Sequence, residues 1–382
     1  MGVETIPSNP DTAVLVACAH GLTEVASTLI EQNPQADSRS LVLLIVACAC
    51  GHTATASMLL AKGAALNLNA SNGMTPLIAA CKNGRVETAS MLCSTGAMID
   101  QTTHKGMTAL SIACRQGHFK TVLVLLKLGA AVDKQDDGGV TPLHRACHAG
   151  HTRIASLLLA YGAAINHVAA SGATALIMAC LRNHTETASI LMSEGAEINQ
   201  PAGPGITPML AACHQGNLAT VQLLSSHGAQ RVYGYGNAYS VAIKRGHDDV
   251  VDWLIKSMQW TSRLHHLEII DHERARFLLR SGADLHLSED GGPTPLELAQ
   301  EHLQSVRNAA TGSAAQLVLQ AAAPWCQQTH ELFPKKARAY AVELMLIGHR
   351  LSQQKRFFRH EGAIFDAWMF YVMPKALDRG DF

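Results

Sequence analysis

The sequence lacks a charge bias, a long apolar run and a large share of aromatic residues. Its 30 Lys and Arg residues balance 30 Asp and Glu residues, and only 5% of the chain is aromatic. Because no net field draws the chain to a polyanion, we expect neither nucleic acid nor a membrane surface as a partner. The longest apolar run, LVLLIVACACG from Leu41, is well short of the ~18–20 residues that a bilayer span needs.

The N-terminus also lacks the features of a secretory signal peptide. The segment MGVETIPSNP has neither a basic start nor an apolar core. We therefore expect an intracellular protein, cytoplasmic or nuclear. In that setting its ten cysteines are interpreted as reduced thiols rather than as disulfides.

What the sequence does have is a period of 33 residues, a length typical of repeat proteins. Three residue types keep this period in register, which indicates an array of similar units. Gly-Ala pairs begin at Gly63, Gly96, Gly129, Gly162, Gly195 and Gly228. Thr recurs at Thr75, Thr108, Thr141, Thr174 and Thr207, and Cys recurs at Cys81, Cys114, Cys147, Cys180 and Cys213.

Local signals within one unit predict two helices. Thr141 suits a helix N-cap, and Pro142 suits the first helical position. The first helix, LHRACHA, is expected to stop at Gly150. The second, TRIASLLLAY, has a helical spacing of apolar residues and ends at Gly162. A stretch of small and turn-forming residues, the finger, leads to the next Thr.

These residues resemble the ankyrin repeat, whose T-P-L-H-x-A signature stands intact from Thr141 to Ala146. The resemblance covers residues about 11–310, after an N-terminal lead of residues 1–10. It implies an all-α solenoid of about ten helix-turn-helix units, firm over about 74–228 and degenerate at both ends. The ninth unit has a frame uncertain by one residue. The tenth, from Thr294, runs into an Ala/Gln-rich stretch rather than a clean second helix.

The repeat register explains the residues that look like chemistry. TPLHRACHAGH places His144, Cys147 and His148 at almost the spacing of a helical metal site. The register instead puts Cys147 in the core, and the resemblance implies a structural role for His144 in tying neighbouring units together. A second cluster lacks a recognised ligand spacing; it comprises His265, His266, Glu268, Asp271 and His272. We expect no metal, no cofactor and no enzymatic activity.

The resemblance also implies where a protein partner binds, namely at the finger tips and the exposed face of each first helix. The seventh and eighth residues after each Thr form a basic column, which comprises Lys82, Arg115, His148, Arg182, His214 and Lys244. The contact-prone finger residues are His104, Lys105, Tyr233 and Tyr235. One interpretation is a groove for an acidic peptide or domain. The other is that these cations stabilise helix C-termini, at about 0.3–1 kcal/mol each.

The C-terminal segment, residues 311–382, differs in composition from the array. Ten of the eighteen aromatic residues lie in its last 59 positions. It is expected to be helical, either as a cap on the solenoid or as a docking segment. The second possibility makes the protein a two-ended adaptor, for example a substrate receptor of a ubiquitin ligase. The protein is otherwise expected to be a monomeric, non-catalytic interaction scaffold.

Overall fold

The computed structural model describes residues 10–32, 40–203, 205–234, 236–258, 260, 263–267, 269–288, 292–305, 313–322 and 332. The chain divides into two compact units: unit 1 comprises 1–220 and 232–245, and unit 2 comprises 221–231 and 246–382. Tyr235, Glu268, the side chain of Tyr233 and most of the C-terminal segment lie outside the described residues.

Unit 1 consists of paired helices. The first helices are α1 (Pro10–Ala19), α3 (Ser40–Cys50), α5 (Pro76–Lys82), α7 (Ala109–Gln116), α9 (Pro142–Ala149), α11 (Ala175–Leu181), α13 (Pro208–Gln215) and α15 (Ala238–Arg245). The second helices are α2 (Thr23–Gln32), α4 (Thr53–Ala61), α6 (Val86–Ser94), α8 (Phe119–Lys127), α10 (Thr152–Ala160), α12 (Thr185–Ser193) and α14 (Leu218–Ser226). Two short antiparallel strands, β1 (Val232–Tyr233) and β2 (Gly236–Asn237), precede α15.

The predicted start and stop signals operate in the first helices. The Thr75 hydroxyl accepts a hydrogen bond from the Ile78 N–H at 3.1 Å, and Thr108 does the same for Ser111. Each bond satisfies one N–H that the helix itself leaves unpaired. Gly150 follows α9 with φ 73°, the left-handed conformation that glycine adopts without a steric penalty. The predicted all-α repeat architecture is therefore confirmed.

Helices of successive pairs stack in two rows. Each first helix packs on the next first helix, from α1 and α3 through to α13 and α15. The second helices pack in the same way from α2 to α12. Residue n of one unit therefore lies beside residue n + 33 of the next, which explains why the sequence keeps a strict period.

The cysteine ladder lies inside the first-helix row. Cys81, Cys114, Cys147, Cys180 and Cys213 are each 0% exposed, and the nine described cysteines are free thiols. Burial disfavours the thiolate and raises the pKa of Cys18 to about 11 and of Cys48 to about 12. The interpretation of these residues as small apolar core residues is confirmed.

Unit 2 has its own hydrophobic core. Its described helices are α16 (Asp248–Lys256), α17 (His272–Arg280), α18 (Pro295–Ser305) and α19 (Ala314–Ala322), with a 3-10 turn at Arg263–His265. Leu264, Leu279, Val318 and Leu332 are among the buried residues of this core. Helix α19 packs on α17 and α18. The expectation that no clean second helix follows Thr294 is therefore wrong.

One hydrogen bond resolves the frame of the ninth repeat. In the fifth firm signature, His144 Nε2 donates to the carbonyl of Ala173, the residue before Thr174, at 3.1 Å. In unit 2, His265 Nε2 donates to the carbonyl of Pro293, the residue before Thr294, at 3.0 Å. His265 thus occupies the signature histidine position, although only a 3-10 turn stands in place of its first helix.

Among the described residues, no helix is both long and apolar enough to cross a bilayer.

Candidate partner-binding surface

The basic column runs along the C-terminal ends of consecutive first helices. Lys82 and His148 belong to the last turns of α5 and α9, and Arg182 directly follows α11. Lys82, His148, Arg182 and Lys244 are exposed, whereas Arg115 and His214 are half-buried. Because these helices pack side by side, the column forms one continuous strip within unit 1.

The backbone beneath the column is held by side chains of the following unit. His118 Nε2 donates to the carbonyl of Lys82 at 3.0 Å, and His151 Nε2 to that of Arg115 at 3.3 Å. His184 Nε2 donates to the carbonyl of His148 at 3.2 Å. These bonds satisfy carbonyls that the helix ends leave unpaired, and they fix the spacing between neighbouring column residues.

Two Arg–His pairs connect neighbouring positions of the column. The Arg182 Nε–H donates to His148 Nε2 at 2.9 Å. The guanidinium of Arg245 contacts Nε2 of His214 in the same manner. A guanidinium has only donors, so each histidine nitrogen must accept and each imidazole in these pairs is neutral. Burial, followed by the charges of Arg182 and Arg145, lowers the pKa of His148 below its ordinary value.

The other column cations have no carboxylate beside them among the described residues. Lys82, Arg115, Arg182 and Lys244 take part in none of the ion pairs found there. Arg145, one turn before His148, differs because it contacts the carboxylate of Asp136. Burial alone would raise the pKa of Asp136, but hydrogen bonds from Arg145 and from the Val140 N–H hold this pKa below its usual value. Arg145 is therefore part of the scaffold.

The fingers are joined by side-chain oxygens that repeat with the same period. Asp100 accepts from the N–H of Ala131 at 3.0 Å, and Asp133 accepts from the N–H of Ala164 at 3.1 Å. Asn67 and Asn166 serve the same purpose in their units. His104 and Lys105 are exposed on one of these fingers. Tyr233 lies in β1, opposite Gly236.

The residues of TPLHRACHAGH have separate structural roles. His144 is 1% exposed, and its Nδ1 accepts from the Thr141 hydroxyl at 2.8 Å while its Nε2 donates to Ala173. This confirms its predicted role in tying units together. Cys147 is buried in the core, His148 accepts from Arg182, and His151 donates to a carbonyl of the preceding unit.

In the second histidine cluster, Asp271 is the N-cap of α17 and accepts from the Arg274 N–H at 2.7 Å. His266 is 2% exposed and stacks on Trp253 with ring centroids 6.0 Å apart. These residues therefore also have structural roles in unit 2.

Sequence reasoning missed two arginines next to the column. Arg85 takes the place of a turn histidine, because its Nε–H donates to the carbonyl of Ala49 at 3.1 Å. Arg245 pairs with His214. The signal for both was the register: Arg85 lies 33 residues after His52, whose Nε2 donates to the carbonyl of Ala19. Arg245 is an eighth-position residue, like Arg182.

Comparison with known proteins agrees with the repeat register. The sequence profile of the family described as ankyrin repeats (3 copies) matches residues 44–136 and 128–202. The solved ankyrin repeat domain of human ASB11 is 30% identical with a TM-score of 0.50, and the match covers 55% of this chain and 96% of that domain. No curated protein sequence matches the chain. Stacked repeats of this kind form extended protein-binding surfaces. The chain belongs to the ankyrin-repeat family.

Proposed function

We propose that unit 1 is a non-catalytic scaffold that captures an acidic segment of a partner protein. The segment binds along the basic column and reaches the fingers that carry His104 and Lys105. The observation that carries the proposal is the set of cations without a carboxylate partner among the described residues, which comprises Lys82, Arg115, Arg182 and Lys244. Their side chains are available to carboxylates of another chain.

The geometry favours an extended partner. Successive first helices pack at about 10 Å, so neighbouring cations of the column are separated by about the length of three extended residues. A peptide with acidic residues about every third position would meet one cation per unit. Since each pair is solvent-exposed, we expect each to add on the order of 0.5 kcal/mol, and affinity to come from several pairs together.

The competing account assigns the same cations to helix stability. Lys82, Arg115 and Lys244 all lie in the last turns of their helices, where a positive charge interacts favourably with the helix dipole. Both accounts predict a cation at these positions. Only the capture account predicts that their charge controls binding.

The test is charge reversal in the full chain. We expect the triple variant Lys82→Glu, Arg115→Glu and Lys244→Glu to lose capture of a rhodamine-labelled Asp-rich peptide, measured by fluorescence anisotropy. The matched control reverses three exposed cations on second helices: Lys120→Glu, Lys127→Glu and Arg153→Glu. It should bind the peptide as the wild type does.

Thermal unfolding of the same variants separates the two accounts. Loss of capture at an unchanged melting temperature supports the proposal, and unchanged capture overturns it. If the reversed variant unfolds early, the neutral variants Lys82→Gln, Arg115→Gln and Lys244→Gln repeat the test with a smaller effect on the helix termini. Retained capture in those variants, with a lowered melting temperature, supports the dipole account alone.

The adaptor alternative adds a docking role for the C-terminal segment. The concentration of aromatic residues after residue 324 favours it, because exposed aromatics are frequent in binding hot spots. Since Leu332 belongs to the core of unit 2, a deletion should begin after it. We expect a chain lacking 333–382 to keep peptide capture but to lose a subset of the proteins that copurify with the full chain.

A further inference from the structure

The basic column contains one side chain whose charge can change near physiological pH and whose contact is fully described. His148 lies between two cations of the column, Arg115 on α7 and Arg182 after α11. Its Nε2 accepts the Nε–H of Arg182 at 2.9 Å. A second pair, Arg245 and His214, repeats the arrangement two units further along.

The charged groups that act on His148 are all basic. They are Arg145 on its own helix, Arg182 at the end of α11 and His184 at the start of α12. Arg145 is paired with Asp136, whereas no carboxylate lies within ion-pair distance of His148 or Arg182 among the described residues. Burial together with these neighbours places the pKa of His148 below its ordinary value. Near neutral pH, the column therefore holds a neutral histidine at its centre.

Protonation of His148 would change two side chains at once. A proton on Nε2 removes the lone pair that accepts from Arg182, so this hydrogen bond is lost. The two cations then repel each other, and Arg182 is released from its contact. An acidic partner bound across both would gain one charge and one unconstrained guanidinium.

We propose that the His148–Arg182 pair makes capture of an acidic partner pH dependent, with binding strengthened in mildly acidic solution. This inference rests on the proposed function, because it concerns the same column. Partner carboxylates stabilise the imidazolium, so binding is accompanied by proton uptake. The dissociation constant falls as the pH decreases towards the pKa of His148 in the free protein.

Linkage sets the size of the effect. Uptake of one proton by one group changes the binding constant by at most about tenfold per pH unit, between the free and the bound pKa. Asp carboxylates have a pKa of about 3.9, so an Asp-rich probe keeps its charge between about pH 5.5 and about pH 7.5. A rise in affinity over that range therefore reports on the protein.

The experiment measures the anisotropy of a rhodamine-labelled Asp-rich peptide with the full chain across this range. We expect the dissociation constant of the wild type to fall at least threefold, or about 0.65 kcal/mol, from about pH 7.5 to about pH 5.5. In His148→Gln the amide oxygen still accepts from Arg182 but cannot gain a proton. That variant should match the wild type near pH 7.5 and lose most of the pH dependence.

The matched control is His104→Gln, which removes an exposed histidine from a finger and should retain the wild-type pH profile. If His148→Gln keeps the full pH dependence, the inference is overturned. A wild type that binds equally at all pH values also overturns it, whereas loss of that binding in the charge-reversed triple variant would leave the proposed function standing. A chain that binds the peptide at no pH contradicts both.

A second measurement does not depend on any partner. The pKa of His148, read from imidazole NMR signals assigned through His148→Gln, should increase in Arg182→Gln because one positive neighbour is removed. An unchanged pKa would show that the pair does not couple the two side chains and would overturn the inference.

Discussion

At the scale of single residues, neighbouring units are joined by hydrogen bonds that recur with the repeat. In four places, the threonine hydroxyls of adjacent second helices lie 2.7–2.9 Å apart: Thr23 and Thr55, Thr53 and Thr88, Thr152 and Thr187, and Thr185 and Thr220. Thr121 belongs to this series but is 0% exposed, and its hydroxyl has no hydrogen-bond partner. The position that should supply a partner is Val86, 33 residues after Thr53.

Val86→Thr should therefore stabilise the protein. A net gain of about 0.5–1.5 kcal/mol is expected, because a buried hydroxyl that has lost its water regains a partner. The free energy of unfolding from urea titration provides the measurement. Thr121→Val, which removes the unsatisfied hydroxyl instead, should also stabilise, whereas Val86→Ala should not. Destabilisation by both Val86→Thr and Thr121→Val would contradict this explanation.

His144 makes the stability of the protein depend on pH. Burial, the largest cause, lowers its pKa to about 4, against an ordinary value of about 6.5. Below about pH 6.5 the unfolded chain binds a proton that the folded chain does not, so stability falls as the pH decreases towards about 4. His144 contributes up to about 3 kcal/mol to this loss.

The variant His144→Asn isolates this contribution, because other buried histidines such as His266 titrate in both proteins. Urea unfolding should show a smaller loss of stability between about pH 6.5 and about pH 4 in the variant than in the wild type. Parallel pH profiles of the two proteins would contradict the assignment.

The residue scale also shows what the sequence could predict of the candidate surface. The column itself follows from counting positions after each Thr. The Arg182–His148 contact does not, because it depends on how far an eighth-position side chain reaches across to the preceding unit. Likewise, Arg85 is an ordinary exposed arginine in the sequence, and only the carbonyl of Ala49 reveals it as a substitute for a turn histidine.

At the scale of elements, the tight turn between the two helices of a unit is shaped by the neighbouring unit. Gly84 has φ 67°, and a Cβ placed there would lie 2.7 Å from Nδ1 of His118. Gly129, after α8, has φ 87° but no atom within 4 Å of such a Cβ. The first glycine is required by both its backbone and its neighbour, and the second by its backbone alone.

Gly84→Ala should consequently cost more stability than Gly129→Ala. The left-handed conformation costs a non-glycine residue about 1–2 kcal/mol in either case. At Gly84 the methyl group must also displace the His118 ring, which breaks the hydrogen bond to Lys82 and adds about 1 kcal/mol. Urea unfolding of both variants measures the difference. Equal losses would show that the ring moves away without cost.

Helix boundaries were predictable where the signature is intact and not where it is extended. Thr and Pro at the start and Gly at the end delimit α9 as expected. In the tenth unit α18 has eleven residues, and α19 begins 20 residues after Thr294, against 11 from Thr141 to α10. A fixed period therefore searches for the second helix too early, which is why the Ala/Gln-rich stretch was misinterpreted.

At the scale of the whole molecule, a chain with no net charge still carries a local strip of cations. Charges beyond about 8 Å are largely screened at physiological ionic strength, so a partner responds to the strip rather than to the total. The balance of charge that argues against nucleic acid is thus compatible with an acidic protein partner. The function of the C-terminal segment remains a prediction that deletion of residues 333–382 tests.

The central claim is that an acidic segment lies across the ends of the first helices in unit 1. Photo-crosslinking of the full chain with a benzophenone-bearing Asp-rich peptide, mapped by mass spectrometry, tests it most directly. We predict crosslinks at residues 82–84, 115–117, 148–150 and 181–183, and their loss in the charge-reversed triple variant. Crosslinks concentrated on second helices such as α8 and α10, or unaffected by the reversal, would contradict the account.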